Sequence, residues 1–153
     1  MGVPTYYTRL LATENITHKN CNNIRIFISG SAPLLEETFH NFATKTGHEI
    51  LERYGMTETN MNTSNPIKGK RKPGTVGPPL PGIELRIMDD EGHCLENDTI
   101  GNLQVKGPNV FKGYWKMPEK TAEDFTKDGY FKKGDKAKID RDGYVSIVGR
   151  SKD

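Results

Sequence analysis

Cysteine is scarce and poorly spaced for any covalent or metal role: the 153-residue chain holds two, Cys21 and Cys94, far apart and in no ligand pattern. They read as reduced, unpaired thiols, which excludes a disulfide scaffold and suits the cytoplasm, or the mitochondrial matrix in a eukaryote. His18, His40, His48 and His93 show no ligand spacing such as His-x-x-x-His, so no histidine metal site is expected. Hydrophobic residues make up 33% of the chain. No apolar run approaches the roughly 18 residues that a membrane span needs. The first dozen residues carry Pro4, two tyrosines and Arg9 in place of the apolar core of a secretory signal. Twenty-two basic and 20 acidic side chains nearly cancel, which argues against broad nucleic-acid affinity. A chain of this length can bury one respectable core.

What is present divides into two textures. Ile24 to Ile28, β-branched and aromatic, predicts a strand. After a break at Gly30–Pro33, with Pro33 suited to a first helical turn, Leu35, Phe39, Phe42, Ala43 and Thr46 recur at helical spacing. Glu36 and Glu37 sit early in that helix, Lys45 late, and Gly47 supplies the stop. Glu49-Ile50-Leu51 begins a second strand, whose C-terminal end delivers Tyr54 to Glu58 to the edge where ligands of open α/β sheets bind. Past the basic loop Lys68–Gly74 the pattern changes to short alternating strands: Ile83, Leu85 and Ile87; Leu103 and Val105; then Ala137 and Ile139, joined through Arg141-Asp142-Gly143 to Val145 and Ile147 as a hairpin. The expected fold class is α/β, a strand-helix-strand piece of a mixed sheet over 1–73 followed by a small β-rich subdomain over 74–148.

The chemistry concentrates in Glu52-Arg53-Tyr54-Gly55-Met56-Thr57-Glu58. An aromatic ring can lie on a base, and Gly55 lets backbone approach a ligand. The Thr57 hydroxyl can donate to a phosphate oxygen, and Glu58 is a hard oxygen donor suited to Mg²⁺. The run resembles the signature of the adenylate-forming acyl-CoA synthetases, and its continuation through Pro66 is most similar to the malonyl-CoA synthetase branch. Other segments follow in the family's order: Ser29-Gly30-Ser31-Ala32-Pro33-Leu34, Gly101–Gly107, Phe111–Trp115, Gly134-Asp135 and Gly149–Asp153. Asn102 and Lys133 stand where the family usually has glutamate and threonine.

The resemblance implies that Ser31, Ala32 and Pro33 lie along adenine, that Glu52, Arg53, Tyr54, Gly55, Met56 and Thr57 border the nucleotide, and that Asp135 and Arg150 contact ribose. Taken alone, Ser31–Pro33 would be a helix start and Asp135 a turn aspartate. Thr57 and Glu58 would act at the α-phosphate, Glu58 holding Mg²⁺, while Gly30, Gly55, Met61 and Asn62 would line the acyl pocket. The implied reaction converts a short carboxylate, malonate preferred, and ATP into an acyl-adenylate and then transfers the acyl group to coenzyme A. Other adenylating chemistries remain alternatives: a medium-chain or aryl-CoA ligase, a peptide-synthetase adenylation domain, or an inactive adenylate-binding fragment. The family's phosphate loop and lysine-bearing C-terminal domain have no counterpart in this sequence, and 149–153 matches the start of the hinge, with Lys152 at the pivot. The chain is therefore expected to need the N- and C-terminal parts of the fold for activity. The basic cluster Lys68, Lys70, Arg71 and Lys72 reads as a solvated loop, the sharper alternative being attraction of coenzyme A phosphates. Trp115, with Tyr114 and Phe111, reads as subdomain core.

Overall fold

In the computed structural model, which describes residues 1–150 apart from the side chain of Lys133, two sheets are laid down in chain order. Helices α1 (Pro4–Leu11) and α2 (His18–Cys21) come first, followed by β1 (Ile28–Ser29), α3 (Glu36–Thr46), β2 (Leu51–Met56) and β3 (Asn60–Ser64). Then come β4 (Glu84–Met88), β5 (Gly101–Lys106), α4 (Pro118–Asp124), β6 (Phe131–Ile139) and β7 (Val145–Arg150). The first sheet, β1-β2-β3, is mixed: β1 pairs parallel with β2, and β3 returns antiparallel. The second, β4-β5-β6-β7, is an antiparallel meander.

Each sheet has its own apolar cluster. Tyr7, Leu34, Phe39, Phe42 and Ile50 form the first, with Phe27 packed against it. The Phe27 and Phe42 rings meet edge to face at 4.8 Å. Tyr7 hangs from α1 with its hydroxyl donating to the Ile28 carbonyl at 2.6 Å, so an otherwise costly buried phenol is satisfied and burial pushes its pKa up to about 12. Ile87, Leu103, Val105, Ala137 and Val145 form the second cluster. Tyr54 of the first sheet packs against this second cluster, which is where the two halves meet.

Several expectations are corrected. The strand foreseen over Ile24–Ile28 is laddered only at Ile28–Ser29. Ile24 is instead tied back to α2 by its N–H on the Cys21 carbonyl, and among the described residues no strand pairs with it. Helix α3 starts at Glu36, not at Pro33: the chain bends at Ser31, which takes a left-handed φ of 69°, and Leu35 is extended as the residue before the helix. Leu34, rather than Leu35, is therefore the buried leucine; Leu35 is exposed. Helices α1, α2 and α4 are short and carry no strong apolar periodicity in the sequence. Trp115 is 85% exposed, not core. The chain turns at Gly113, where a Cβ would lie 2.6 Å from Thr121, and Lys116 adopts φ 54°, so Phe111 stacks inward on Phe125 while Trp115 faces outward. Within the basic cluster Lys68 and Lys70 are exposed, while Arg71 and Lys72 are half-buried. Arg71 donates to the carbonyls of Pro66, Ile67 and Glu49, and Lys72 is ion-paired.

Candidate active site

Strand β2 enters the middle of the first sheet buried at Leu51 and Glu52 and ends at the seam between the sheets. A bulge falls between Tyr54 and Gly55, and a Cβ at Gly55 would sit 2.0 Å from the Asn60 carbonyl oxygen and 2.7 Å from the Met61 methyl. Only glycine fits that close approach. The bulge changes which face the strand presents, and a cleft of about 330 Å³ opens there.

One wall of the cleft is Ser31, Ala32, Pro33 and Leu34; the floor is Glu52 to Met56; the opposite wall comes from the second sheet, with Asp135, Ile147, Gly149 and Arg150. The structure thus brings together ten of the eleven residues expected around a nucleotide, from segments about a hundred residues apart: Ser31, Ala32, Pro33, Glu52, Arg53, Tyr54, Gly55, Met56, Asp135 and Arg150. Thr57, the eleventh, is exposed just past the end of β2, in the turn to β3. Leu34 and Gly149, which lie in the quoted motifs without being named as site residues, and Gly74, Val76 and Ile147, which sequence reasoning missed, complete the lining and carry no chemical signal of their own.

Across the cleft the Tyr54 hydroxyl donates to Asp135 Oδ2, and the Arg150 guanidinium lies 3.6 Å from Asp135 Oδ1. Burial, followed by the Asp135 hydrogen bond and charge, raises the Tyr54 pKa, so the phenol stays protonated as the donor. Asp135 is 7% exposed, and each of its oxygens retains acceptor capacity beyond these partners. Glu52 is 5% exposed, and desolvation lifts its pKa to about 7 against the opposing hydrogen bonds from the Leu34 and Gly74 N–H groups. Its Oε1 has no hydrogen-bond partner, an orphaned acceptor beside the cleft.

Glu58 stands apart from the cleft lining. Its carbonyl accepts the Phe111 N–H at 2.8 Å, and its Oε1 accepts from the Tyr114 hydroxyl at 3.2 Å. Among the described residues no three His, Cys, Asp or Glu side chains cluster as a metal cage. A single carboxylate still fits Mg²⁺, which keeps several waters and takes its other ligands from substrate phosphates. Of the residues nominated for the acyl pocket, Gly55 and Met61 are in contact. Gly30 packs against Arg53, and Asn62 is fully buried with its Oδ1 accepting from Asn109 Nδ2 at 3.0 Å; of the four, Gly55 lines the cleft and Gly30, Met61 and Asn62 do not. Lys152, expected at the hinge, lies outside the described residues.

Known proteins share this fold. Residues 1–115 match the model of the AMP-binding enzyme family. The chain is 46% identical to the malonate–CoA ligase of Arabidopsis thaliana over 98% of its own length and 26% of that protein's. The crystal structure of ATP-bound MatB from Rhodopseudomonas palustris superposes with a TM-score of 0.97 at 59% identity, covering 100% of this chain and 31% of that one. A malonyl-CoA ligase in ternary product complex with methylmalonyl-CoA and AMP gives 0.86 at 46% identity, over 97% of this chain and 33% of that one. The chain thus spans between a quarter and a third of the proteins it resembles. Most of the chain matches the family model, and the superposed folds are those of CoA ligases with bound nucleotide; the chain belongs to the AMP-binding enzyme family.

Proposed function

We propose that this chain forms the nucleotide-binding part of an ATP-dependent acyl-CoA ligase that activates a short carboxylate, malonate by preference, and passes it to coenzyme A. The observation that carries the reading is the cleft itself. An aromatic ring, two buried carboxylates and an arginine converge on a space bordered by small residues, which is the equipment for adenine and ribose rather than for a purely apolar ligand.

In this reading adenine lies between the Ser31–Pro33 backbone and the Tyr54 ring. The ribose hydroxyls donate to the spare acceptor positions on Asp135, with Arg150 closing the rim, while the buried Glu52 side chain supports the floor on which adenine rests. That seating points the phosphates past Met56 toward the β2–β3 turn, where Thr57 donates to the α-phosphate. Glu58 would hold Mg²⁺, which supplies positive charge beside the phosphates when bound. A substrate carboxylate oxygen attacks the α-phosphorus as pyrophosphate leaves; the coenzyme A thiol then attacks the acyl carbon and AMP departs. The donors matter most where negative charge grows during the first step. Malonate is favoured by the similarity to malonate–CoA ligases and by Met61, whose flexible side chain against Gly55 fills space that a bulkier acyl group would need. The cation for the second carboxylate is assigned to a part of the ligase outside this chain.

The test is a chimera in which residues 1–153 replace the matching stretch of the Rhodopseudomonas palustris relative. Malonate-dependent exchange of pyrophosphate into ATP is expected. Exchange driven equally by benzoate or a medium-chain acid, with none by malonate, overturns the substrate assignment.

A further inference from the structure

The second-sheet wall of the cleft reaches its place through a contact far from the cleft. The β6–β7 hairpin carries Asp135, Ile147, Gly149 and Arg150 on its strands, and its turn, Asp140–Tyr144, lies at the opposite end. There Lys72 reaches across from the segment between β3 and β4. Its Nζ lies 2.7 Å from Asp140 Oδ2, is also paired with Asp142, and sits 4.4 Å from the centre of the Tyr144 ring. Asp140 has a second task, because its Oδ1 accepts the N–H groups of Asp142 and Tyr144, each at 2.9 Å, and so shapes the turn. The Tyr144 hydroxyl donates back to the Lys70 carbonyl at 2.7 Å.

The other end of the connection is anchored under Glu52. The Lys72 N–H donates to Asn65 Oδ1 at 3.1 Å. Asn65, 2% exposed, gives its amide group to the carbonyls of Thr75 (2.8 Å) and Glu52 (3.3 Å), and its own N–H to the Glu52 carbonyl at 2.9 Å. Two backbone bonds follow the same seam: Val76 N–H to the Val145 carbonyl at 2.8 Å and Val145 N–H to the Gly77 carbonyl at 3.1 Å. A continuous chain of contacts therefore runs from the floor of the cleft, through Asn65 and Lys72, to the tip of the hairpin that carries the far wall.

We infer that Lys72 is a positioning residue for nucleotide binding: by fastening the hairpin tip it sets the gap between Tyr54 and Asp135. An isolated surface ion pair contributes little, but this cation serves two carboxylates and a ring at once and is 20% exposed. Its removal leaves Asp140 and Asp142 to repel each other at the turn they must keep closed. The inference rests on the nucleotide reading for its ligand, and on the ion pairs, ring contact and hydrogen bonds around Lys72 for its geometry.

The experiment compares unmodified protein with Lys72→Met and Lys72→Arg, using adenosine as the probe because it is uncharged and does not feel the lost lysine charge directly. Adenosine affinity is measured by calorimetry, and amide exchange is followed at Val76 and Val145, with Phe42 and Leu103 amides as the fold control. Lys72→Met is expected to weaken adenosine about fivefold and to speed exchange at Val76 and Val145 about tenfold, a local opening that leaves the control amides protected. Lys72→Arg is expected to restore both. Should Lys72→Met fail to fold, Asp142→Asn removes one partner at an exposed position and is expected to shift both readouts in the same direction. Unchanged exchange at Val76 and Val145 overturns the inference, and so does faster exchange with unchanged adenosine affinity. No adenosine binding by the unmodified protein overturns the nucleotide reading instead, while the two amides still report whether Lys72 holds the hairpin.

Discussion

The Tyr54 hydroxyl donates a hydrogen bond to Asp135 Oδ2, joining residues 81 positions apart and spanning the cleft from one sheet to the other. The bond is charge-assisted and partly buried, so it fixes both the plane of the ring and the direction of the carboxylate.

Replacing Tyr54 by Phe keeps the stacking ring and removes this tether. Each lost bond to a charged group is worth about 1.5–3 kcal/mol, so AMP affinity is expected to fall roughly tenfold or more. Asp135→Ala also removes the ribose acceptor and is expected to raise the ATP KM further, with kcat and the carboxylate KM nearly unchanged, because a contact made equally in ground and transition states is uniform binding. Calorimetric titration with AMP measures the first, and steady-state kinetics of the chimera the second. An unchanged ATP KM for Asp135→Ala leaves that strand residue as no more than the acceptor of the Tyr54 hydroxyl.

Glu52 makes stability depend on pH in an unusual direction for a carboxylate. Burial raises its pKa from 4.5 in the open chain to about 7 in the fold, so the fold prefers the protonated form. That contribution is fully present below about pH 4.5 and is lost as pH rises through about 7, a span worth on the order of 3 kcal/mol. Denaturant unfolding of the unmodified protein and of Glu52→Gln at a series of pH values isolates it: the difference between the two curves is expected to grow with pH across that window. Parallel curves contradict the assignment.

The turn carrying Thr57 and Glu58 is held by a loop of the second sheet through Phe111, Tyr114 and Asn109, whose Nδ2 donates to the Thr59 carbonyl at 2.6 Å. Thr57→Ala or Glu58→Gln is expected to slow adenylate formation roughly 10²–10³-fold with a much smaller loss of ATP binding, since both act on charge that develops at the α-phosphate. Rapid-quench measurement of pyrophosphate release gives the rate, and release at the unmodified rate removes both residues from the chemistry.

Much of this was legible beforehand, and the reasons are local. The Glu52–Glu58 run is chemically dense, and the Phe39, Phe42 and Thr46 spacing marks the buried face of α3. The strand over Ile24–Ile28 was misjudged because β-branched composition reports only that a segment suits a pleated surface; the absence of a neighbour beside Ile24 is a tertiary fact. Trp115 was misjudged because size and hydrophobicity say nothing about the turns at Gly113 and Lys116 that aim it outward. Asn109 and Lys72 were invisible as organisers for a related reason: their partners are distant in sequence, Asn62 and Thr59 in one case and Asp140 and Asp142 in the other.

Met61 touches the Cβ-less face of Gly55, which makes it the test of acyl size. Met61→Ala in the chimera is expected to widen acceptance toward methylmalonate and longer acids, by roughly tenfold in relative kcat/KM for each methylene or two accommodated. A side-by-side panel in which every larger acid stays excluded shows that Met61 does not shape the pocket.

The central claim is that the cleft between the sheets is an adenylate site, and titration of AMP into the protein by calorimetry tests it most directly. The account predicts saturable binding that is weakened at least tenfold by Asp135→Ala and by Tyr54→Ala, which removes the stacking ring, each tested alone. AMP binding that is unchanged by both substitutions, or that is absent from the unmodified protein, would contradict it.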